Sequence, residues 1–295
     1  MASGLDVLVS GASIAGPALT FWLRRAGHII CEGSQSGTRT MVFGHVPTRR
    51  LGLYTAFGSI DRRADNDQWW TWFNAVGGRS ITVRPDNVGT TRVALSFLSG
   101  PKNYEGMAPA QQREALRAEY AGVKWKAPRI LDALAKTDEL YVDDLTQVRA
   151  THWVQGRVVL LGDAAWCATP ISGMGTTLAL TGAYVLAGEL ASASTIDEGL
   201  RAYQERMRPI VGRAQKLPPG APRIAHPRSR AGLSALRTAV RVAGSRPVRA
   251  AARRLPLAPP SRSPCPGINF ERAGAPASDA GLGRGQAGGT GALPG

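Results

Sequence analysis

This chain of 295 residues has few cysteines, few histidines and long stretches without acid, and each scarcity removes a class of function. Its three cysteines, Cys31, Cys167 and Cys265, stand far apart with neither metal-ligand nor redox spacing. Neither a disulfide framework nor a zinc site is therefore indicated, and a cytoplasmic location is expected. His45, His152 and His226 lie away from any nucleophile or carboxylate at catalytic spacing, which leaves them packing or surface roles, so no catalytic side chain is nominated. Between Glu205 and Glu271 there is no acid but there are 14 Lys or Arg, whereas the rest of the chain carries 22 basic and 21 acidic residues. The net charge of +15 thus belongs to the C-terminal region. No secretory signal is read at the N-terminus, where Asp6 and a glycine turn interrupt the early apolar run. Residues 164–188 run uncharged for 25 positions, yet Pro170 and several glycines make them a buried loop and helix rather than a membrane span.

What the chain does have is concentrated in residues 157–190. Val158–Leu161 is a short apolar strand of the kind buried on both faces of a parallel sheet. Gly162 and Asp163 follow at its carboxyl end, where open α/β sheets bind ligands. Pro170, Gly173, Met174 and Gly175 form a glycine-rich loop. Thr176 and Thr177 then begin a helix that runs to about Leu190, and a helix start of this kind receives anions on its backbone N–H groups.

The N-terminus reads as strand, glycine turn and amphipathic helix. Leu5–Val9 is the strand, and Gly11, Ser13 and Gly16, with Ile14 and Ala15 between them, occupy the frame of the dinucleotide fingerprint GxGxxG. The first glycine permits a tight turn, the middle position admits a pyrophosphate to the backbone, and the third lets helix and strand pack closely. Ser13 at the middle position is a small departure.

These two stretches together resemble the FAD-dependent monooxygenases of the aromatic-hydroxylase, p-hydroxybenzoate hydroxylase-like family. The resemblance implies that the N-terminal turn holds the pyrophosphate of FAD, that Asp163 reaches the ribityl chain, and that Pro170, Gly173 and Gly175 lie beside the flavin. Trp166 and Thr177 stand where the family often has His and Asn. A third family motif, usually DG followed by Ser and Arg, resembles residues 29–44, with Glu32, Gly33, Ser36 and Arg39 in its positions. In relatives a large segment separates the first helix from this motif, whereas here His28 runs directly into Ile29. The chain is therefore expected to lack an internal block that carries the usual ribose-binding acid and much of the pocket wall. NADPH or NADH as co-substrate, molecular oxygen and a small aromatic or polyketide-like substrate are what the resemblance implies for the reaction.

The expected fold class is α/β: a Rossmann-like FAD-binding domain with a smaller sheet-rich substrate domain and a basic, partly disordered C-terminal tail. Residues 1–44 and 149–217 would form the two parts of the FAD domain around a substrate domain at 45–148. A basic helical extension at 218–256 and a disordered tail at 257–295 would follow. Leu51–Ile60, Trp70–Phe73, Arg79–Arg84 and Thr91–Leu98 are the strand candidates, and Pro109–Ala121 and Ile130–Ala135 the helical ones. The aromatic cluster Trp69, Trp70, Trp72 and Phe73 is read as packing across the sheet in preference to a substrate platform. Residues 231–255 form a basic amphipathic pattern, read as a solvated helix broken at Pro247. A reading of another class is a catalytically impaired flavin-domain remnant whose basic tail binds nucleic acid or an anionic membrane. No nucleic-acid or membrane partner is assigned on that pattern alone.

Overall fold

The computed structural model describes residues 14–15, 17–19, 36–63, 69–104, 106–137 and 139–246. Gly11, Ser13, Gly16, Glu32, Gly33, the strand expected at Leu5–Val9 and the tail expected from Leu257 all lie outside the described residues. Helix α1 spans Ser36–Phe43, and an antiparallel sheet follows, formed by β1 (Thr48–Asp61), β2 (Thr71–Ala75), β3 (Arg79–Pro85), β4 (Thr90–Leu98) and β5 (Tyr141–Val148) in the order β2-β3-β4-β1-β5. The four strands expected from alternation are present with small shifts of their ends. Strand β5 was not expected, because YVDDLTQV carries two adjacent acids. As an edge strand it leaves those acids in partial contact with water while Val142, Leu145, Gln147 and Val148 are buried.

One face of the sheet is a hydrophobic floor. Tyr54, Ala56, Ile81, Val83, Leu95 and Phe97 point to it from alternate positions, and α2 (Pro109–Glu119) and α3 (Ala127–Leu134) cover it through Leu116, Ile130 and Leu134. Tyr120, at the end of α2, is buried in the same layer with its hydroxyl 2.9 Å from the Ser80 carbonyl oxygen and 2.8 Å from that of Ser96. The opposite face carries a smaller cluster of Leu53, Leu98 and Leu145, with Leu51 and Ile171 packed against it.

The β3–β4 hairpin is tied by Asp86, whose carboxylate accepts from the Val88 and Thr90 N–H groups at 3.1 and 2.8 Å and from the Thr90 hydroxyl. These hydrogen bonds, with the Thr90 hydroxyl foremost, hold the Asp86 pKa down at about 2. A carboxylate depressed in the folded state contributes stability above its unfolded pKa and loses it as pH falls through the folded value. Protection of the hairpin amides against hydrogen exchange is therefore expected to fall between about pH 4 and pH 2 in the parent and to be low throughout in Asp86→Ala. Equal protection in both proteins at pH 6 would remove this role from Asp86.

A second core forms around β6 (Val154–Gln155), β7 (Val158–Val159), α4 (Asp163–Trp166), α5 (Gly175–Ser192) and α6 (Ile196–Ala214). On α6, Leu200, Tyr203, Met207 and Val211 recur at helical spacing and are buried, and the Tyr203 hydroxyl donates to the Leu160 carbonyl at 3.0 Å. Ala15 and Leu19 join the same core, as does Phe43 at its edge. The expected burial of Val158–Leu161 holds, since Val159, Leu160 and Leu161 are almost fully enclosed. Among the described residues β7 pairs antiparallel with β6, while the strand expected at Leu5–Val9 lies outside them. The observed architecture is thus a mixed α/β arrangement dominated by an antiparallel sheet.

A buried amide network joins the sheet to this second core. Gln215, at the end of α6, donates through Nε2 to the carbonyls of Val148 at 2.7 Å and Trp166 at 3.2 Å. Its own backbone carbonyl accepts from Gln147 Nε2 at 3.0 Å. Backbone carbonyls that leave water need such partners, and this one glutamine serves the end of β5 and the turn after α4 together.

The chain then returns to the sheet. Helices α7 (Ala221–Ala225) and α8 (Arg230–Ala243) are held there by Gly77 N–H to Arg228 O at 3.0 Å, Gly78 N–H to Pro227 O at 3.1 Å and Asn74 Nδ2 to Ala225 O at 2.8 Å. His226 is buried in this junction with Nδ1 2.9 Å from Pro222 O, and burial pushes its pKa down, so it is a packing residue, as expected. The tryptophan cluster departs from expectation. Trp69 and Trp70, just before β2, and Trp72, on this edge strand, are exposed; Phe73 stacks on Trp125 at 5.0 Å, and Trp72 lies tilted against the His226 ring at 6.2 Å.

Candidate functional site

The buried run Val159–Leu161 delivers the chain to Gly162, whose φ of 66° and ψ of −142° suit glycine and almost no other residue. That turn places Asp163 at the first position of α4. Asp163 reaches the surface, but the protein atoms crowded about its carboxylate push its pKa above the ordinary aspartate value, against the pull of a hydrogen bond with the Cys167 thiol. The thiol itself is pushed up to about 11 by burial and by the Asp163 charge, so Cys167 serves as a neutral donor to Asp163. Cys167 was assigned no role from its spacing, and nothing in the sequence links it to Asp163 beyond a separation of four residues.

Arg39 comes to the same place from far away in sequence. Its Nη1 donates to the Ala164 carbonyl at 3.4 Å, and partial burial lowers its pKa. Ala15 is buried against the same core, while Ile14 beside it is exposed. The structure therefore brings Arg39 to the residue after Asp163 and buries Ala15 in the core that also holds Ala164 and Ala165.

After Cys167 the chain makes a tight loop. Thr169 adopts a φ of 72°, unusual for a branched residue, and its buried Oγ1 has no hydrogen-bond partner among the described residues. Pro170–Ser172 forms a single helical turn that ends at Gly173, with a φ of 64° and its N–H on Pro170 O at 3.0 Å. Ser172 Oγ donates to Thr169 O at 2.8 Å and accepts from Met174 N–H at 3.2 Å. Ile171, inside the turn, packs on the second face of the sheet.

Helix α5 opens out of this loop with Met174 at its cap position and no side-chain cap, so the N–H groups of its first turn have no capping partner. A Cβ placed on Gly173 or Gly175 would meet no atom within 4 Å. Thr176 and Thr177 are exposed on that opening. The result is an open, electropositive helix start, reached from the Asp163 turn through a loop that holds an unsatisfied buried hydroxyl. This donor set fits a ligand carrying phosphate or carbonyl acceptors together with hydroxyl groups, which is the make-up of FAD. Among the described residues no cluster of His, Cys, Asp or Glu is arranged to hold a metal, and no helix is long and apolar enough to cross a membrane.

Beside the loop lies a second cavity, of about 810 Å³, between β2, Ile171 and helices α7 and α8. The sequence reading missed it, since its walls come from segments far apart in the chain.

The chain is similar to known flavin-dependent proteins. The description "FAD binding domain" matches residues 25–217. The chain is 31% identical over 198 residues to the FAD-dependent monooxygenase asL6 of Sarocladium schorii, which covers 63% of this chain and 47% of that protein. The crystal structure of tetracycline destructase Tet(51) superposes with a TM-score of 0.61 at 27% identity, over 72% of this chain and 59% of that one. A variant of Klebsiella pneumoniae HpxO complexed with FAD shares the fold, with a TM-score of 0.58 at 22% identity over 76% of this chain and 60% of that one. The chain spans about half the length of the curated relatives it matches. With the match running from residue 25 through the Asp163 turn and the start of α5 to residue 217, the chain belongs to the FAD binding domain family.

Proposed function

We propose that this chain binds FAD and acts as an NAD(P)H- and O2-dependent monooxygenase on a small aromatic or polyketide-like molecule. The observation that carries the reading is the convergence of Arg39, Asp163 and the uncapped start of α5 on one core that also contains Ala15. Asp163 would take the ribityl chain, the backbone from Gly173 to Thr177 and the side chain of Pro170 the flavin end, and Gly11, Ser13, Ile14, Ala15 and Gly16 the pyrophosphate. Glu32, Gly33 and Arg39 would complete the cofactor site. FAD supplies the electron transfer and the reaction with oxygen; the chain supplies position and dryness. Ile171, anchored on Leu53, Leu98 and Leu145, keeps the glycine loop against the sheet. The division into a flavin domain at 1–44 and 149–217 and a substrate domain at 45–148 belongs to the same reading. The asL6 and Tet(51) similarities support it.

The direct join of His28 to Ile29 implies a cofactor site missing its adenosine-side acid and part of its wall. Losing one or two charge-assisted hydrogen bonds weakens binding by roughly tenfold to several thousandfold. FAD titration is therefore expected to give weak affinity, and NAD(P)H oxidation is expected to yield hydrogen peroxide in place of hydroxylated product. Submicromolar FAD affinity with tightly coupled hydroxylation would refute the missing wall. A protein that never takes up FAD but is retained on heparin would refute the enzyme itself.

A further inference from the structure

The cavity beside the glycine loop has a definite chemistry. Trp72 lies opposite Thr82 in the sheet register, which places it on the face that carries Leu53 and Leu98. With Ile171, Ile224, Leu236 and Val240 it makes an apolar trough of about 810 Å³, within the range of small-molecule sites. Trp72, Ile224 and Val240 are 53%, 61% and 63% exposed, so the trough is uncovered among the described residues. Its charge is one-sided. Arg237 and Arg241, one turn apart on α8, line it, no carboxylate does, and neither arginine has an ion-pair partner among the described residues. Ile171 belongs both to this trough and to the loop assigned to the flavin, so a molecule lying in the trough lies next to that loop.

We propose that the trough takes the flat apolar body of an organic acid, with Arg237 and Arg241 holding its carboxylate or enolate, so that the substrate of this chain is an anionic ring system and not a neutral one. This rests on the flavin reading only for calling the ligand a substrate; binding of the acid itself does not depend on FAD. Trp72 offers a ring face for stacking, and two guanidinium groups one turn apart suit a bidentate oxyanion.

The test is calorimetric titration of the full chain with 3-hydroxy-2-naphthoate and with its methyl ester, with FAD binding measured separately on the same protein. The naphthoate is expected to bind about five- to tenfold more tightly than the ester at low salt, with the gap closing as salt rises. Replacing both arginines, Arg237→Gln with Arg241→Gln, is expected to erase the gap and leave the ester unchanged. Trp72→Ala is expected to weaken both compounds, with melting temperatures near the parent in each variant. Equal affinity for acid and ester overturns the proposal. So does failure of both to bind, which would mean that another segment of this chain or a second copy closes the trough. Displacement of the naphthoate one-for-one by FAD overturns it as well, by placing the acid in the cofactor site. A shift of tryptophan emission on phosphatidylserine vesicles without naphthoate binding also overturns it, by giving this face to a membrane. If FAD fails to bind while the acid preference and its loss in the double variant persist, the trough stands and the flavin reading falls.

Discussion

Gly175→Leu is expected to lose FAD binding by at least about a hundredfold while the protein melts within a few degrees of the parent. The separation of the two effects is built into the site. A Cβ at Gly175 meets no atom of other segments within 4 Å, so a side chain can leave the backbone there without a clash, and leucine is the better helix former by somewhat under 1 kcal/mol. The same side chain fills the space over the uncapped helix start that the cofactor would occupy. Asp163→Ala is the complementary change, removing a hydrogen-bonding carboxylate without adding bulk, and is expected to weaken FAD by about 10- to 100-fold. It carries an internal check, because the Asp163 charge helps to push the Cys167 thiol up to about 11. Without that charge the thiol pKa moves down, and Cys167 should react faster with a thiol reagent at pH 8. Gly175→Leu protein that still holds FAD as tightly as the parent would move the flavin away from this loop.

Gly182→Val is expected to be the most damaging single change to stability outside the cofactor contacts. A Cβ at Gly182 would lie 2.8 Å from Trp166 Cζ2 and 3.0 Å from Leu161 Cδ1. Trp166 cannot yield: it is 1% exposed and wedged against Trp153 at 4.6 Å and Tyr203 at 6.0 Å. Overpacking of this kind costs about 3 kcal/mol, which in a chain of this size lowers the melting temperature by roughly 6–12 °C. Because Trp166 ends α4, the strain also separates Asp163 from the start of α5, and FAD affinity should fall with stability. Trp166→Phe in the same protein is expected to restore part of the loss, since the two residues share one contact and their effects are not additive. An unchanged melting temperature for Gly182→Val would show that α4 and α5 are not locked together here.

Local pattern carried much of the fold. The alternation in β1, β3 and β4 and the turn residues between them locate those strands to within a few residues, because side-chain period and turn chemistry act over short distances. The same locality explains the errors. YVDDLTQV looks unfit for a sheet until its edge position lets its acids remain in partial contact with water. The aromatic run near Trp72 looks like core until the edge position of β2 leaves three tryptophans in solvent. Gln215 carries no signal at all, because its importance lies in carbonyls supplied by Val148 and Trp166.

The sequence by itself determined which residue types could meet a flavin. Glycines at 162, 173 and 175, an aspartate after an apolar strand and an uncapped helix start are requirements of backbone conformation and charge, and they are written in consecutive residues. Tertiary structure alone decided what those residues meet. It carried Arg39 across 125 positions to the Ala164 carbonyl, set the Cys167 thiol on Asp163, and laid Ile171 on the sheet beside a trough whose walls come from residues 72 to 241. Such pairings depend on how two separate cores dock, and docking is settled by the complementarity of buried surfaces, which no short window of sequence contains.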